Sequence, residues 1–191
     1  MAFLRPKGRG ALRRLARCLL AITLLGAAEA RAAAPSREYQ LKAIFLFNFS
    51  QFVAWPAGSL GDAQAPFVVG VLGNDPFGDY LDATVLGEKI GGHPMVVRRY
   101  RRVEDVGDCQ VLFISGSEEG RLEGIIARLG GRNILTVGDA SNFSRSGGMV
   151  RFVMEEGRIR LKFDVQAARS AGLTISSKLL RAAAIVTREE E

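Results

Sequence analysis

Histidine, cysteine and tryptophan are scarce in this chain of 191 residues: one, two and one, respectively. A single histidine, His93, cannot build a multi-histidine metal site. Between Gly92 and Pro94 it reads as a solvated loop residue with no general-base partner placed by the sequence. Of the two cysteines, Cys18 falls in the N-terminal leader described below, which leaves Cys109 alone and rules out an internal disulfide. Cys109 opens the apolar run CQVLFIS and reads as a buried strand residue rather than a reactive thiol. Phosphate-binding fingerprints are also missing. The glycine-bearing turns GVLGNDPFG and ISGSEEG follow strand patterns but match neither a P-loop nor GxGxxG. Acidic residues stand on both, Asp75 and Asp79 on one and Glu118 and Glu119 on the other. They oppose the roughly half positive charge of a helix N-terminus. ISSKLL carries Ser176, Ser177 and Lys178 without a Ser-x-x-Lys spacing. Asp75, Asp79 and Asp82 do not have the spacing of an EF-hand loop and read as an acidic helix start. No catalytic set, cofactor motif or metal site emerges.

The N-terminus is distinct. Arg5, Lys7, Arg9, Arg13, Arg14 and Arg17 precede the apolar run CLLAITLLGAA, and AEARAAA offers Ala-x-Ala sites at Ala28–Ala30 and Ala30–Ala32. This is the layout of a cleaved secretory signal peptide over residues 1–32, with a single domain over residues 33–191. The leader holds seven of the 26 basic residues and one of the 20 acidic ones, so 19 of each remain and the mature chain is neutral with His93 uncharged. The high pI therefore belongs to the leader and gives no case for nucleic acid. Arg98, Arg99, Arg101 and Arg102 are followed by Glu104, Asp105 and Asp108, a mixture that suits a solvated strand end. The leader's apolar run is short for a membrane span, and no later stretch is long enough either, so direct membrane insertion after cleavage is not expected.

The rest alternates strands and helices. PFVVGVLG, HPMVVRRY, CQVLFIS and RNILTVGD read as strands. DPFGDYLDATVL and SEEGRLEGIIARL read as helices, the second with Ser115 and Glu118 at capping-box spacing. MVRFVMEEGRIRLKFDV alternates about EEG as a hairpin, and AARSAGLTISSKLLRAAAIVT reads as helical material broken near Gly172. The expectation is an α/β fold: one domain, a largely parallel β-sheet flanked by helices, and an antiparallel C-terminal hairpin at one edge.

The first helix, capped by Ser36 and ending near Ala54 ahead of Pro56, is apolar almost all round. On a 100° wheel Leu41, Phe45, Phe49 and Phe52 share one face and Tyr39, Leu46 and Val53 another. Gln40, Asn48 and Gln51 form a narrow polar stripe, and Lys42 and Ser50 stand isolated. One apolar face can dock on the sheet. The second needs a further cover from the same domain, a second copy or a partner protein.

EYQLKAIFLFNFSQFVAWP resembles the opening motif of the YfiR family of periplasmic regulators. VLGNDPFG, CQVLFIS, ILTVGD, GGMV, GRIRLKFDV and AGLTISSKLLRAA follow in that family's order, from Glu38 to about Ala184. Tyr39, Lys42, Phe45, Asn48, Phe52, Trp55 and Pro56 match the opening pattern. Gly147, Gly148 and Met149 match the GGM turn, and Ser176, Ser177, Lys178 and Leu179 the terminal ISSKLL. The resemblance implies a small exported protein without enzymatic activity. It implies binding to the periplasmic domain of an inner-membrane diguanylate cyclase, which is held inactive until release raises cyclic-di-GMP and promotes biofilm formation. Homodimers are implied as well. The sequence departs from the family in the unpaired Cys109, which puts disulfide control in doubt, in Arg145 and Arg151 about the GGM turn, and in Asp164 where asparagine is expected. The candidate partner or dimer interface is Tyr39, Lys42, Phe45, Asn48, Phe49, Phe52 and Trp55. The alternative is a periplasmic small-molecule-binding module using the turns at Gly73–Gly78 or Gly116.

Overall fold

A computed structural model describes residues 34–62, 64–181 and 184–185; the expected signal peptide lies outside the described residues. Two apolar layers enclose a mixed sheet. Its order is β10-β8-β7-β6-β5-β2-β4-β3. The strands are β2 (Phe67–Leu72), β3 (Lys89–Ile90), β4 (His93–Tyr100), β5 (Val111–Ile114), β6 (Leu135–Gly138), β7 (Val150–Glu155), β8 (Arg158–Phe163) and β10 (Ala184–Ile185). Pairing is parallel from β4 through β2, β5 and β6 to β7, and antiparallel in the β7–β8 hairpin and between β3 and β4. The expected α/β class, parallel core and C-terminal hairpin are thus present. The short β10 lies outside β8, alongside Lys162 and Phe163.

Strand periodicity explains the layers. Phe67, Val69, Val71, Val111, Phe113, Leu135 and Val137 point to one face, where they pack against α1 (Arg37–Phe52), α2 (Asp79–Val85) and α4 (Val165–Ser170). Val68, Leu72, Leu112 and Ile114 point to the other, against Leu122, Ile125 and Leu129 of α3 (Leu122–Leu129). Central strands buried on both faces read as continuous apolar runs, as β2 and β5 do. Cys109 lies in this second layer, its sulfur 3.1 Å from the Val111 carbonyl oxygen. Burial pushes its thiol up to about 12. The thiolate is the reactive form. Cys109 is therefore expected to stay unlabelled by a thiol reagent at pH 8 and to react fully in denaturant. Stoichiometric labelling of the folded protein within minutes, located at Cys109 by mass, would contradict that.

Several boundaries differ from expectation. The first helix ends at Phe52, because Val53–Ala54 (β1) turns extended and pairs antiparallel with Thr174–Ile175 (β9). The stretch after β5 starts as a 3-10 helix, Gly116–Arg121, and becomes α-helical only at Leu122. Its expected capping box does not form: the Ser115 hydroxyl accepts from Ser117 N–H, and the Glu118 carboxylate turns to Arg121. C-terminal helical material divides into α4, the strand β9 and a short α5 (Ser177–Arg181) around Gly172. His93 opens β4, as the strand reading HPMVVRRY places it, but its ring is half-buried rather than solvated, with Nδ1 2.8 Å from the Ala65 carbonyl oxygen.

Candidate functional site: the first helix and its anchor

Helix α1 is placed by a buried cation. Lys42 is 3% exposed, and its Nζ lies 2.6 Å from both Asp139 Oδ2 and Glu38 Oε1. Asp139 follows the last residue of β6 at the carboxyl edge of the sheet. Tyr39 completes the cluster: its hydroxyl donates to Asp139 Oδ2 at 3.0 Å, and its ring lies 4.4 Å beneath Lys42 Nζ. Burial, followed by the Asp139 carboxylate, pushes the Tyr39 phenol well above its ordinary value, so it remains a donor. Such a cluster is best understood as orientation. The lysine and the phenol of the helix both meet Asp139, so their two bonds to it fix where this part of the helix sits.

Below the anchor, α1 is held by aromatic packing. Phe49 is fully buried, with its ring centroid 6.5 Å from Phe45, 6.1 Å from Phe152 of β7 and 6.2 Å from Phe163 of β8. Tyr39 meets Phe77 edge-on at 5.6 Å, and Trp55 meets Phe67 edge-on at 5.1 Å. Offset and edge-to-face geometries of this kind add to the gain from burial alone.

The seven candidate residues therefore separate. Lys42 and Phe49 point inward. Tyr39 and Trp55 are half-buried and joined to the sheet side by the contacts above. Asn48 is half-buried beside Leu41 and Ile44, which are 45% and 40% exposed; Phe45 and Phe52 flank this arc and pack against the core, the Phe45 ring 5.9 Å from that of Phe152. Leu41 and Ile44 are absent from the sequence-based set. The wheel pattern misplaces the buried arc because it treats Lys42 and Ser50 as isolated polar positions, whereas both are buried on the sheet side. The (i, i+4) spacing of Glu38 and Lys42 gives no hint of this, since such pairs ordinarily sit on solvated helix faces.

Loops also bond to one another along the carboxyl edge. Strand order reverses between β2 and β5, the position where open α/β sheets carry ligands. Here the Asn74 N–H donates to the Ser117 hydroxyl at 3.0 Å, and a Cβ on Gly73 would lie 2.5 Å from that oxygen. One loop further along, Glu119 Oε1 accepts from the Ser141 N–H and hydroxyl at 3.1 and 2.8 Å. The turns proposed for a small molecule are thus clasped together. The acidic residues nearby serve Arg99: Asp75 Oδ2 accepts from Nε at 2.6 Å and Asp82 from both terminal nitrogens.

The GGM turn is a packing device. Phe143, fully buried, lies against Gly138 and Gly148, and the Met149 N–H then donates to the Thr136 hydroxyl at 3.1 Å. Asp164, the departure from the expected asparagine, caps α4 by accepting from the Ala167 N–H at 2.8 Å. A carboxylate does this as well as a carboxamide.

Residues 39–184, with the anchor, the carboxyl edge and the GGM turn, match the family model DUF4154, described as YfiR/HmsC-like. The chain belongs to the YfiR/HmsC-like family. No curated protein matches the chain. The family is a regulatory one with a place in cyclic-di-GMP signalling. Among the described residues no helix is long and apolar enough to cross a membrane. The outward arc of α1 exposes Leu41 and Ile44 together with Arg37 and Gln51, on a helix tied to the sheet side by a buried ion cluster.

Proposed function

We propose that this protein is a periplasmic regulator that binds the periplasmic sensory domain of an inner-membrane diguanylate cyclase and represses cyclic-di-GMP synthesis and biofilm formation. The observation that carries the reading is the family match over residues 39–184. The outward arc of α1, with Leu41 and Ile44 exposed beside half-buried Asn48 and flanked by Phe45 and Phe52, suits the role. A repressor must favour one state of its target. Moving a two-state enzyme from almost wholly active to almost wholly inactive takes about 5.5 kcal/mol of differential affinity. A few desolvated apolar anchors supply energies of that order.

The test is calorimetric titration of the protein, isolated from the periplasm, with the periplasmic domain of the cyclase encoded nearest its gene. Cyclic-di-GMP is measured in parallel in cells holding both proteins. Saturable binding with reduced cyclic-di-GMP is expected. Leu41→Glu and Ile44→Glu are expected to weaken binding at least tenfold, about 1.4 kcal/mol, and to change stability by about 0.5 kcal/mol or less, as exposed substitutions do. Sedimentation equilibrium of the same variants separates the two uses of the arc. Loss of self-association with intact cyclase binding would make it a homodimer surface. Unchanged binding and unchanged assembly in both variants would remove α1 from the mechanism.

A further inference from the structure

A groove of about 280 Å³ opens on the face of the sheet away from α1, between the 3-10 turn Val103–Asp105 and helix α3. Val103 and Ile125 are its apolar floor, and three guanidiniums, those of Arg102, Arg121 and Arg128, stand around it. Their side chains are 68%, 67% and 62% exposed, yet each is steered by a carboxylate: Arg102 by Asp105, Arg121 by Glu118 and Arg128 by Glu104. The bonds to Glu118 and Glu104 each use one nitrogen of a group that carries five N–H donors. The remaining donors of Arg121 and Arg128 take no part in these bonds and stand at the rim. Glu104 and Glu118 also line the groove, so its ionisable lining carries a net charge of +1.

Gly124 supplies an independent observation. It lies inside the eight-residue helix α3 and lines the groove. Its backbone is right-handed helical, and a Cβ there would meet no atom within 4 Å among the described residues. Neither dihedral angle nor packing demands glycine, and glycine is among the poorest residues for a helix interior. What its missing side chain does is leave the groove open.

We propose that this groove binds a small organic carboxylate, with its carboxylate on the guanidiniums of Arg121 and Arg128 and its carbon body on Val103 and Ile125. The planar guanidinium fork matches a carboxylate. An apolar floor rewards a carbon body, and a lining of only +1 suits an anion of low charge rather than a polyphosphate. The site is separate from α1, so its test stands whether or not the cyclase is the partner.

The experiment is a titration of the periplasmic protein with phthalate, followed by two-dimensional NMR of backbone amides, with inorganic phosphate as an anion lacking a carbon body. Phthalate is expected to give saturable shifts centred on residues 102–104 and 121–128, with an affinity at least fivefold above that of phosphate and falling as salt rises. Gly124→Leu, which fills the groove from a helical position with open space, is expected to weaken phthalate at least tenfold while raising the melting temperature. Arg128→Gln, a change at an exposed ion pair, is expected to weaken it similarly without unfolding the protein. Absence of saturable shifts, phosphate binding as tightly as phthalate, or undiminished binding by folded Gly124→Leu would each overturn the assignment.

Discussion

Lys42→Ala is expected to cost about 3 kcal/mol of unfolding free energy, the low end of what breaking a buried ion pair costs. The loss comes less from the missing attraction than from what stays behind. Asp139 is 13% exposed and among the described residues would keep the Tyr39 hydroxyl as its side-chain partner, with no ion-paired cation to offset its desolvation. Glu38 is 36% exposed, so Glu38→Gln is expected to cost under about 1 kcal/mol, as pairs open to solvent do. The contrasting variant removes both charges. Lys42→Met with Asp139→Leu leaves only the Glu38 carboxylate without its partner, at a position 36% exposed to water, and is expected to recover most of the lost stability. Urea unfolding of the three variants measures this, and hydrogen exchange along α1 reports whether the helix still seats. A Lys42→Ala loss below about 0.5 kcal/mol would mean that water reaches Asp139 and that the anchor is electrostatically trivial.

If the anchor behaves in this way, it links the buried side of α1 to the surface it presents. Lys42 and Phe49 contact the sheet from one arc, and Leu41 and Ile44 are exposed on the other. A helix that shifts on the sheet would therefore alter the spacing of its outward residues. The double variant becomes informative for function as well as stability. Binding to the cyclase domain that survives Lys42→Met with Asp139→Leu would show that aromatic packing alone seats the helix well enough.

The sequence revealed those features whose cause is local or periodic. HPMVVRRY is β4 from its first residue to its last, and the apolar runs of β2 and β5 announce strands covered on both faces. The hairpin was legible because EEG interrupts an alternating pattern; Glu156 and Gly157 both turn left-handed there, with φ of 50° and 71°. What escaped is non-local. Val53–Ala54 becomes a strand only because Thr174–Ile175, more than a hundred residues later, pairs with it. Lys42 stands as an isolated polar position on the wheel because a lysine is buried only with partners, and its distant partner Asp139 comes from another element. The same limitation hid Leu41 and Ile44, since a helix wheel fixes relative angles and leaves the buried arc to be set by the sheet. The GGM turn was visible as a pattern, but its reason was not, because the ring that needs the glycine comes from the preceding loop.

That reason leads to a large expected effect. Gly148→Ala should destabilise the fold by about 3 kcal/mol, the upper end of ordinary overpacking. A Cβ at Gly148 would lie 2.1 Å from Cε1 and 2.3 Å from Cδ1 of Phe143. The ring has no retreat, since Gly138 of β6 faces it just as closely, with a built Cβ 2.3 Å from Cε2. The cause is steric rather than conformational, because Gly148 is not among the positive-φ glycines while its neighbour Gly147 has φ of 93°. Gly147→Ala therefore tests a different term, its left-handed backbone, which is expected to cost about 1 kcal/mol. A double-mutant cycle separates the two mechanisms. Phe143→Ala is expected to cost about 3 to 5 kcal/mol by itself. With the ring gone, adding Gly148→Ala should cost almost nothing further, whereas adding Gly147→Ala should cost what it did before. Equal and additive penalties for both glycines in the Phe143→Ala background would show that the turn is held by its backbone geometry and not by the aromatic ring beneath it.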